Sequence, residues 1–163
     1  MNVLIIGVGL IGGSFALALR DRGLAERIEG VEASEEHARR ALERGLVDRI
    51  VTLEEGLPSA DLIVLATPVY FYTMCAQMKT MIDRTLGGAQ TSGLENKEFY
   101  LIATAADGKA AMERTVDGLR GYLECLPGAK EMGVVYGAGV WKIGDVQKNA
   151  AFDEAYQMGQ NVF

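Results

Sequence analysis

The chain has 163 residues and a net charge of −6, and 49% of its residues are hydrophobic. The length predicts a single domain over residues 1–163, and the acidic balance excludes the broad basic surface that nucleic-acid binding requires. No apolar run approaches the ~20 residues of a membrane-spanning helix, and the first residues show no basic leader, so we expect a cytoplasmic protein with no membrane partner.

The first part of the chain alternates short apolar runs with amphipathic segments. In chain order the pattern predicts a strand at 3–6, a helix at 11–22, a strand at 28–32, a helix at 35–44 capped by Ser34, a candidate edge strand at 47–52 and a buried strand at 61–67. Proline cannot donate to a sheet ladder, so Pro68 is expected to end the last of these strands.

The second part repeats the scheme. It predicts a helix at 72–86, a loop at 87–93, a strand at 99–104, a helix at 109–126, a strand at 132–136 and a final helix capped by Asp145. Strands that alternate with helices indicate an α/β doubly wound three-layer sandwich around a parallel sheet. We expect five main strands in the order 2-1-3-4-5, with residues 47–52 as an extra edge beside strand 2.

A glycine-rich segment follows the first strand and opens the first helix. Residues 7–12, here called the glycine loop, read Gly-Val-Gly-Leu-Ile-Gly, which is the G-x-G-x-x-G pattern in the context that its physics requires. The three glycines allow a tight turn, a close approach to a pyrophosphate and close packing of helix on strand, while free N–H groups attract the anion. The predicted cofactor contacts are Gly7, Gly9, Leu10, Ile11 and Gly12.

Glu32 ends the second predicted strand, 25 residues after Gly7. A carboxylate at this point can accept hydrogen bonds from both ribose hydroxyls of an adenosine and would repel a 2′-phosphate, so the segment predicts NAD in preference to NADP. The alternative is that the glycines merely fit a tight turn and that Glu32 is a solvated surface acid.

Residues 1–69 resemble the nucleotide-binding half of the prephenate (arogenate) dehydrogenase family. The resemblance rests on LIIGVGLIGGSFA at 4–16, AxxxGLVD at 41–48 and ADLIVLATPV at 60–69. In that family the catalytic histidine belongs to a later His-Pro segment, and a helical dimerisation domain follows. Here the only histidine is His37, and neither later feature is present. Prephenate oxidation is therefore not expected, and no catalytic side chain is assigned.

Residues 68–163 resemble flavodoxin-like NAD(P)H-dependent FMN reductases, including relatives of iron–sulfur flavoproteins. The motifs are PVYFYTMCAQMKxxIDR at 68–84, ATAADG at 103–108, YGAGVWxxGD at 136–145 and AFDEAYxMG at 151–159. In that family the loops after the third and fourth strands hold the flavin ring, and the proteins often form homodimers. The resemblance implies cofactor contacts at Pro68, Val69, Tyr70, Phe71, Tyr72, Thr104, Ala105, Asp107 and Gly108.

Aromatic faces and backbone groups after strand 3 suit an isoalloxazine ring, although core and rim packing is the alternative role for these aromatics. Trp141 is expected to pack a loop. The two cysteines predict no iron–sulfur cluster, and a metal site is not expected. The family's hydroxyl-rich phosphate loop is replaced by the glycine loop, where Ser14 is the only nearby hydroxyl.

Composition also divides the chain. Residues 1–67 hold seven arginines, no lysine and one aromatic residue, whereas residues 68–163 hold six lysines and the other eleven aromatics. We therefore expect a hybrid of a Rossmann-derived half (1–67) and a flavodoxin-like half (68–163), joined at residues 66–69.

One hypothesis is an engineered chimera with residual binding of a nucleotide cofactor, NAD or FMN, and no complete substrate site. The alternative is a working FMN-dependent NAD(P)H oxidoreductase. A nicotinamide-dependent dehydrogenase is disfavoured by the missing histidine.

Overall fold

The computed structural model describes residues 1–86, 93–142 and 144–162. All of the predicted 87–93 loop except Gly93 lies outside these residues. The strands are β1 (Asn2–Ile6), β2 (Arg27–Val31), β3 (Arg49–Ile50), β4 (Leu62–Tyr70), β5 (Thr73–Met74), β6 (Glu98–Thr104) and β7 (Lys130–Gly137). The helices are α1 (Leu10–Asp21), α2 (Glu35–Glu43), α3 (Leu53–Gly56), α4 (Ala76–Leu86), α5 (Lys109–Glu124) and α6 (Ala150–Gln160).

The sheet confirms the predicted α/β class. Its order is β3-β2-β1-β4-β6-β7, and these neighbours all pair in parallel. The five main strands therefore follow the predicted order 2-1-3-4-5, and the short β3 is the predicted extra edge. The added feature is β5, which pairs antiparallel with β4 and brings the described sheet to seven strands. Residues Leu62 to Leu65 of β4 are buried on both faces, as a central parallel strand requires.

The prediction that Pro68 ends its strand is wrong, because β4 continues to Tyr70. Pairing between β1 and β4 stops at Ile6 and Leu65, whereas pairing with β6 runs on to Pro68 and Thr104. From residue 66 onward β4 thus has a parallel neighbour on one side only. Proline is tolerated in such an edge-like position, since its missing N–H removes no hydrogen bond on the open side.

The predicted helix at 72–86 begins only at Ala76, because the chain first folds back on β4. Tyr70 pairs with Thr73 and Val69 with Met74, which leaves Phe71 and Tyr72 as a two-residue hairpin turn. Tyr70, Phe71 and Tyr72 are called the aromatic turn below.

The last helix has a different cap from the one predicted. Asp145 opens a short 3-10 turn, and Asn149 caps α6 by accepting a hydrogen bond from the Ala151 N–H at 3.0 Å. The Asp145 carboxylate instead accepts from the backbone N–H groups of Trp141 and Lys142, at 3.1 and 2.6 Å. A side chain that bonds backward in this way fixes the loop before it and leaves helix capping to the next polar residue.

Two apolar layers enclose the sheet. One face packs against α1, α2 and α6, with Phe15 and Leu19 at its centre, and the other packs against α3, α4 and α5. The methionines of α4 are buried in the second layer. A Cβ on Gly159 would lie 2.7 Å from the Phe15 carbonyl oxygen, so α6 lies directly on α1. None of the described helices is both long and apolar enough to cross a membrane.

Candidate functional site

Every predicted site residue lies at the carboxyl edge of the sheet, where β1, β2, β4 and β6 end. The glycine loop and the aromatic turn follow β1 and β4, which are neighbours with opposite crossover directions. Parallel α/β sheets bind ligands at such a switch point. The topology therefore puts both predicted halves of the site on the same edge, although it does not bury them together in an enclosed cavity.

The glycine loop has the tight geometry that its pattern predicts. Gly7 has φ +91°, and a Cβ there would overlap the carbonyl oxygen of Ala66 on β4. A Cβ on Gly12 would lie 3.0 Å from the Gly7 carbonyl oxygen and 3.4 Å from Ile5 Cγ2, so this glycine permits close packing of helix on strand. At Gly9, by contrast, a Cβ would meet no described atom within 4 Å. The loop is therefore crowded on its protein side and open at its middle glycine.

The start of α1 presents free backbone donors. Among the described residues no acceptor takes the N–H groups of Leu10, Ile11 or Gly12, whereas the Gly13 N–H donates to the Gly9 carbonyl oxygen at 2.7 Å. The side chain of Ile11 is buried in the core, so only its backbone can face a ligand. Unpaired N–H groups at a helix N-terminus attract anions, and the helix dipole adds to that attraction.

Glu32 is not the solvated surface acid of the alternative interpretation. Its side chain is only 12% exposed. One carboxylate oxygen accepts from the Val8 N–H and the other from the Ser34 N–H, both at 3.0 Å. His37 Nδ1 lies 4.0 Å from the carboxylate. Glu32 therefore joins the end of β2 to the glycine loop and holds a negative charge beside the loop's amides.

The aromatic turn projects from the sheet edge. The exposed fractions of Tyr70, Phe71 and Tyr72 are 61%, 99% and 53%. Phe71 and Tyr72 have φ values of +51° and +67°, in the left-handed region that such two-residue turns require and that glycine or asparagine usually occupies. Each non-glycine residue held there costs on the order of 1 kcal/mol. Packing in the core is therefore wrong for these three side chains, and packing at the rim of the sheet remains the alternative.

Neighbouring side chains hold this strained turn in place. The buried Thr67 hydroxyl accepts from the Cys75 N–H at 3.1 Å and donates to the Pro68 carbonyl oxygen at 2.8 Å. The Arg114 guanidinium of α5 lies over the Tyr72 ring, 5.4 Å from its centroid. Sequence reasoning missed Arg114, since only the position of α5 reveals that it reaches the turn.

The loop after β6 is held by its own backbone. The Ala105 N–H donates to the Gly137 carbonyl oxygen and its carbonyl oxygen accepts from Val140, both at 2.9 Å, while its side chain is buried. The Asp107 carboxylate accepts from the Gly108 N–H at 2.7 Å. Ala105 therefore braces the loop, and the exposed part of the loop consists of Ala106, Asp107 and Gly108.

Lys109, the first residue of α5, extends the same loop with a cation. Its Nζ lies over the Tyr136 ring at 4.6 Å from the centroid. Burial raises the pKa of the Tyr136 hydroxyl.

Trp141 is 79% exposed, so the expectation that it packs a loop is wrong. The sequence gives no sign of this exposure, because tryptophan is buried in most folds.

The site residues fit the two ends of a flavin nucleotide unequally. Exposed aromatic rings beside fixed backbone groups suit the isoalloxazine ring. The glycine loop suits an anion through its amides alone, since the Ser14 hydroxyl is buried and donates to the Phe152 carbonyl oxygen at 2.7 Å. Within the described residues, no cluster of His, Cys, Asp and Glu side chains could hold a metal ion.

Comparison with known proteins gives the family. The model of the NADPH-dependent FMN reductases matches residues 26–140, which is more than half of the chain. The chain belongs to this family. The matched segment crosses the predicted junction at residues 66–69, so the FMN reductase resemblance begins well before the change in composition.

Individual relatives show the mixed resemblance. The prephenate dehydrogenase of Bacillus subtilis is 41% identical over 69 residues, which are 42% of this chain and 19% of that enzyme. An NAD(P)H dehydrogenase (quinone) of Aromatoleum aromaticum is 35% identical over 66 residues, or 40% of this chain and 32% of that protein. The chain thus spans under a third of the length of either curated relative.

Solved structures extend the likeness to the whole fold. The Trp repressor binding protein from Bacillus subtilis superimposes with a TM-score of 0.65 at 20% identity, covering 97% of both chains. At that identity the match establishes the flavodoxin-like fold of this family member and nothing about its ligands.

Proposed function

We propose that this protein is a flavin-dependent NAD(P)H oxidoreductase whose flavin ring lies on the aromatic turn and against the loop after β6. The aromatic turn carries the proposal, because three exposed aromatic side chains sit on a strained backbone at the switch point of the sheet. Strained backbone conformations persist where the surrounding structure enforces them, and they concentrate at functional sites.

The fold and the family support this function over a purely structural one. When bound, the flavin supplies the hydride chemistry, so the protein needs to bind and orient the ring rather than to provide an acid or base. Pro68 and Val69 bring the turn to the sheet edge, and Asp107 and Gly108 belong to the exposed part of the opposing loop. This division of labour is compatible with the absence of an assigned catalytic side chain.

A second hypothesis is that the chain is a recombined protein with residual nucleotide binding and no complete substrate site. The match to a prephenate dehydrogenase over 69 residues favours it. The FMN reductase match from residue 26 to residue 140 weighs against a junction at 66–69 and favours the oxidoreductase. The division into halves 1–67 and 68–163 and the homodimer stay proposals.

Riboflavin tests the ring site alone, since it carries the isoalloxazine without a phosphate. We expect the protein to quench riboflavin fluorescence on binding. Phe71→Ala and Tyr70→Ala should each weaken riboflavin binding about fivefold, the equivalent of ~1 kcal/mol for one lost aromatic contact. Met132→Ala is the matched control, because Met132 is also an exposed apolar side chain but lies near the start of β7.

NADPH and NADH consumption in the presence of flavin then tests the oxidoreductase activity. The proposal predicts that the same two aromatic variants lose activity at subsaturating flavin while Met132→Ala retains it. Failure of the wild-type protein to bind riboflavin would overturn the ring assignment. Riboflavin binding without consumption of either nucleotide would instead support the second hypothesis.

A further inference from the structure

The glycine loop offers little to the terminal phosphate of FMN. A phosphomonoester is mostly a dianion near neutral pH and is bound best by cations and several donors. No lysine or arginine occurs between Gly7 and Leu19, and the Ser14 hydroxyl is already bonded to Phe152. The Val8 N–H is also occupied, because it donates to the Glu32 carboxylate at 3.0 Å.

Glu32 adds a repulsive charge to this shortage of cations and hydrogen-bond donors for the FMN phosphate. Its carboxylate is nearly buried and fixed by two backbone N–H groups, so it cannot swing away from the loop without losing both hydrogen bonds. In a poorly solvated position a second negative charge nearby costs several times more than it does in bulk water. A phosphate dianion on the glycine loop would be repelled by this carboxylate, which is bonded to the Val8 N–H of the same loop.

A dinucleotide meets the same groups more favourably. Its pyrophosphate carries one charge on each phosphate and can lie along the free N–H groups of Leu10, Ile11 and Gly12. Gly9 leaves the approach open. Beyond the pyrophosphate, the adenosine ribose would reach the end of β2. The carboxylate of Glu32 has two of its four acceptor positions occupied, which leaves two for ribose hydroxyls.

We infer that this site takes its flavin as the dinucleotide FAD in preference to the mononucleotide FMN, with Glu32 as the residue that discriminates between them. The placement of the flavin ring rests on the proposed flavin function. The placement of the phosphates rests on the glycine loop, on Glu32 and on the Ser14 hydroxyl, which is already bonded to Phe152. It assigns the glycine loop and the aromatic turn to one ligand that spans both.

Equilibrium dialysis of the full chain against riboflavin, FMN, FAD and ADP-ribose separates the two ends. ADP-ribose carries the adenosine and the pyrophosphate but no flavin ring. We expect FAD to bind at least tenfold more tightly than FMN, and ADP-ribose to compete with FAD but not with riboflavin. Equal binding of FMN and FAD, or tighter binding of FMN, would overturn the inference and leave the flavin function intact.

The variant Glu32→Gln gives shifts of opposite sign. It should weaken FAD binding severalfold, because a ribose acceptor loses its charge, and strengthen FMN binding severalfold, because repulsion is relieved. Glu35→Gln is the matched control, since it removes an exposed carboxylate from the first turn of α2 and should change neither affinity. Parallel changes for both flavins would contradict the assigned role of Glu32.

Folding and function are also kept apart. If Glu32→Gln does not fold, the wild-type comparison of ADP-ribose, FMN and FAD still decides the inference. If the wild-type protein binds ADP-ribose but no flavin at all, the proposed flavin function fails while the dinucleotide assignment of the phosphate end survives. If the wild-type protein binds riboflavin but not ADP-ribose, the dinucleotide assignment fails while the proposed flavin function survives.

Discussion

The glycine loop and the aromatic turn lie at the same sheet edge but are built on opposite principles. The loop has no functional side chains of its own, and it is shaped by glycines that leave room for other backbone, most clearly at Gly7 and Gly12. The turn places bulky side chains at Phe71 and Tyr72, where the backbone conformation would suit glycine. The backbone conformation of the glycine loop therefore suits its residues, whereas that of the aromatic turn is strained by its residues.

This difference predicts how substitutions in the loop and in the turn should change stability and ligand binding. In the loop, an added side chain disrupts the fold before it affects a ligand, except at the open middle glycine. In the turn, replacement of Phe71 and Tyr72 by asparagine or glycine should relieve the backbone strain and weaken ligand binding. Substitutions in the glycine loop are therefore expected to lower stability and ligand binding together. Substitutions in the aromatic turn are expected to raise stability and lower ligand binding.

The largest effect is expected at Gly7. Gly7→Ala should lower the free energy of unfolding by about 3 kcal/mol or more, because the new Cβ overlaps the Ala66 carbonyl oxygen and φ is +91°. Gly9→Ala is the matched control and should cost about 1 kcal/mol or less, since its Cβ meets nothing. Urea unfolding measures both. Similar losses for the two variants would show that the loop is not crowded on its protein side.

The turn should respond in the opposite direction. The double variant Phe71→Asn/Tyr72→Gly supplies the residues that two-residue hairpin turns prefer, and we expect it to raise the free energy of unfolding by about 1–2 kcal/mol. Riboflavin binding should fall in the same protein. Urea unfolding and dialysis test the pair of outcomes, and a loss of stability would mean that the aromatic rings stabilise the turn more than its backbone strains it.

A smaller effect tests how charge supports the loop side. Asp48 accepts from the Ile28 N–H at 2.7 Å and from Arg20 of α1 at 2.8 Å. Burial acts to raise the pKa of this carboxyl, but the bonds to Ile28 and Arg20 outweigh it and the net pKa is lowered. Asp48→Asn should therefore cost about 1 kcal/mol at pH 7, the worth of the hydrogen bond rather than of the exposed ion pair.

The pH dependence of that loss has a definite sign. A carboxyl whose pKa is lowered by folding stabilises the protein above its unfolded pKa, and that contribution disappears as the pH falls through the folded value. The stability gap between wild type and Asp48→Asn should therefore be constant above about pH 5 and close below about pH 4. Thermal unfolding from pH 3 to pH 7 measures it, and a gap that widens in acid would contradict the lowered pKa.

The smallest effect concerns the cation over the turn. Arg114→Gln removes the guanidinium from the Tyr72 ring and should lower the stability by about 0.5 kcal/mol, as for an exposed cation–π contact. Arg84→Gln, in the last turn of α4, serves as a control for loss of an arginine. Hydrogen exchange at the Thr73 and Met74 amides should rise in Arg114→Gln alone if the contact holds the turn down.

Much of the fold follows from local patterns in the sequence. The apolar run at Leu62–Leu65, the glycine after β1 and the Ser34 cap each specify their element through nearby residues, and the strand order follows from the switch point between β1 and β4. The roles of Gly7 and Gly12 in the turn and the packing were predictable because they depend on backbone sterics within one βα unit.

The remaining features depend on distant partners. Whether Pro68 ends β4 depends on where β1 stops pairing, and the position of Arg114 over Tyr72 depends on how α5 crosses the sheet. The hairpin turn at Phe71 and Tyr72 breaks the local preference for glycine, so a local pattern predicts helix there. The sequence singles out Glu32 as a candidate site carboxylate, but it does not reveal the two hydrogen bonds that Glu32 accepts from backbone N–H groups.

The contact between α6 and α1 has a consequence for synthesis of the chain. The Ser14 hydroxyl is paired with a carbonyl oxygen 138 positions later, and the face of α1 around Phe15 is covered by the same late helix. At a ribosomal rate of 5–20 residues per second, that face waits roughly 7 to 28 s for its cover. During that interval the apolar face of α1 around Phe15 lacks the helix that covers it in the folded protein.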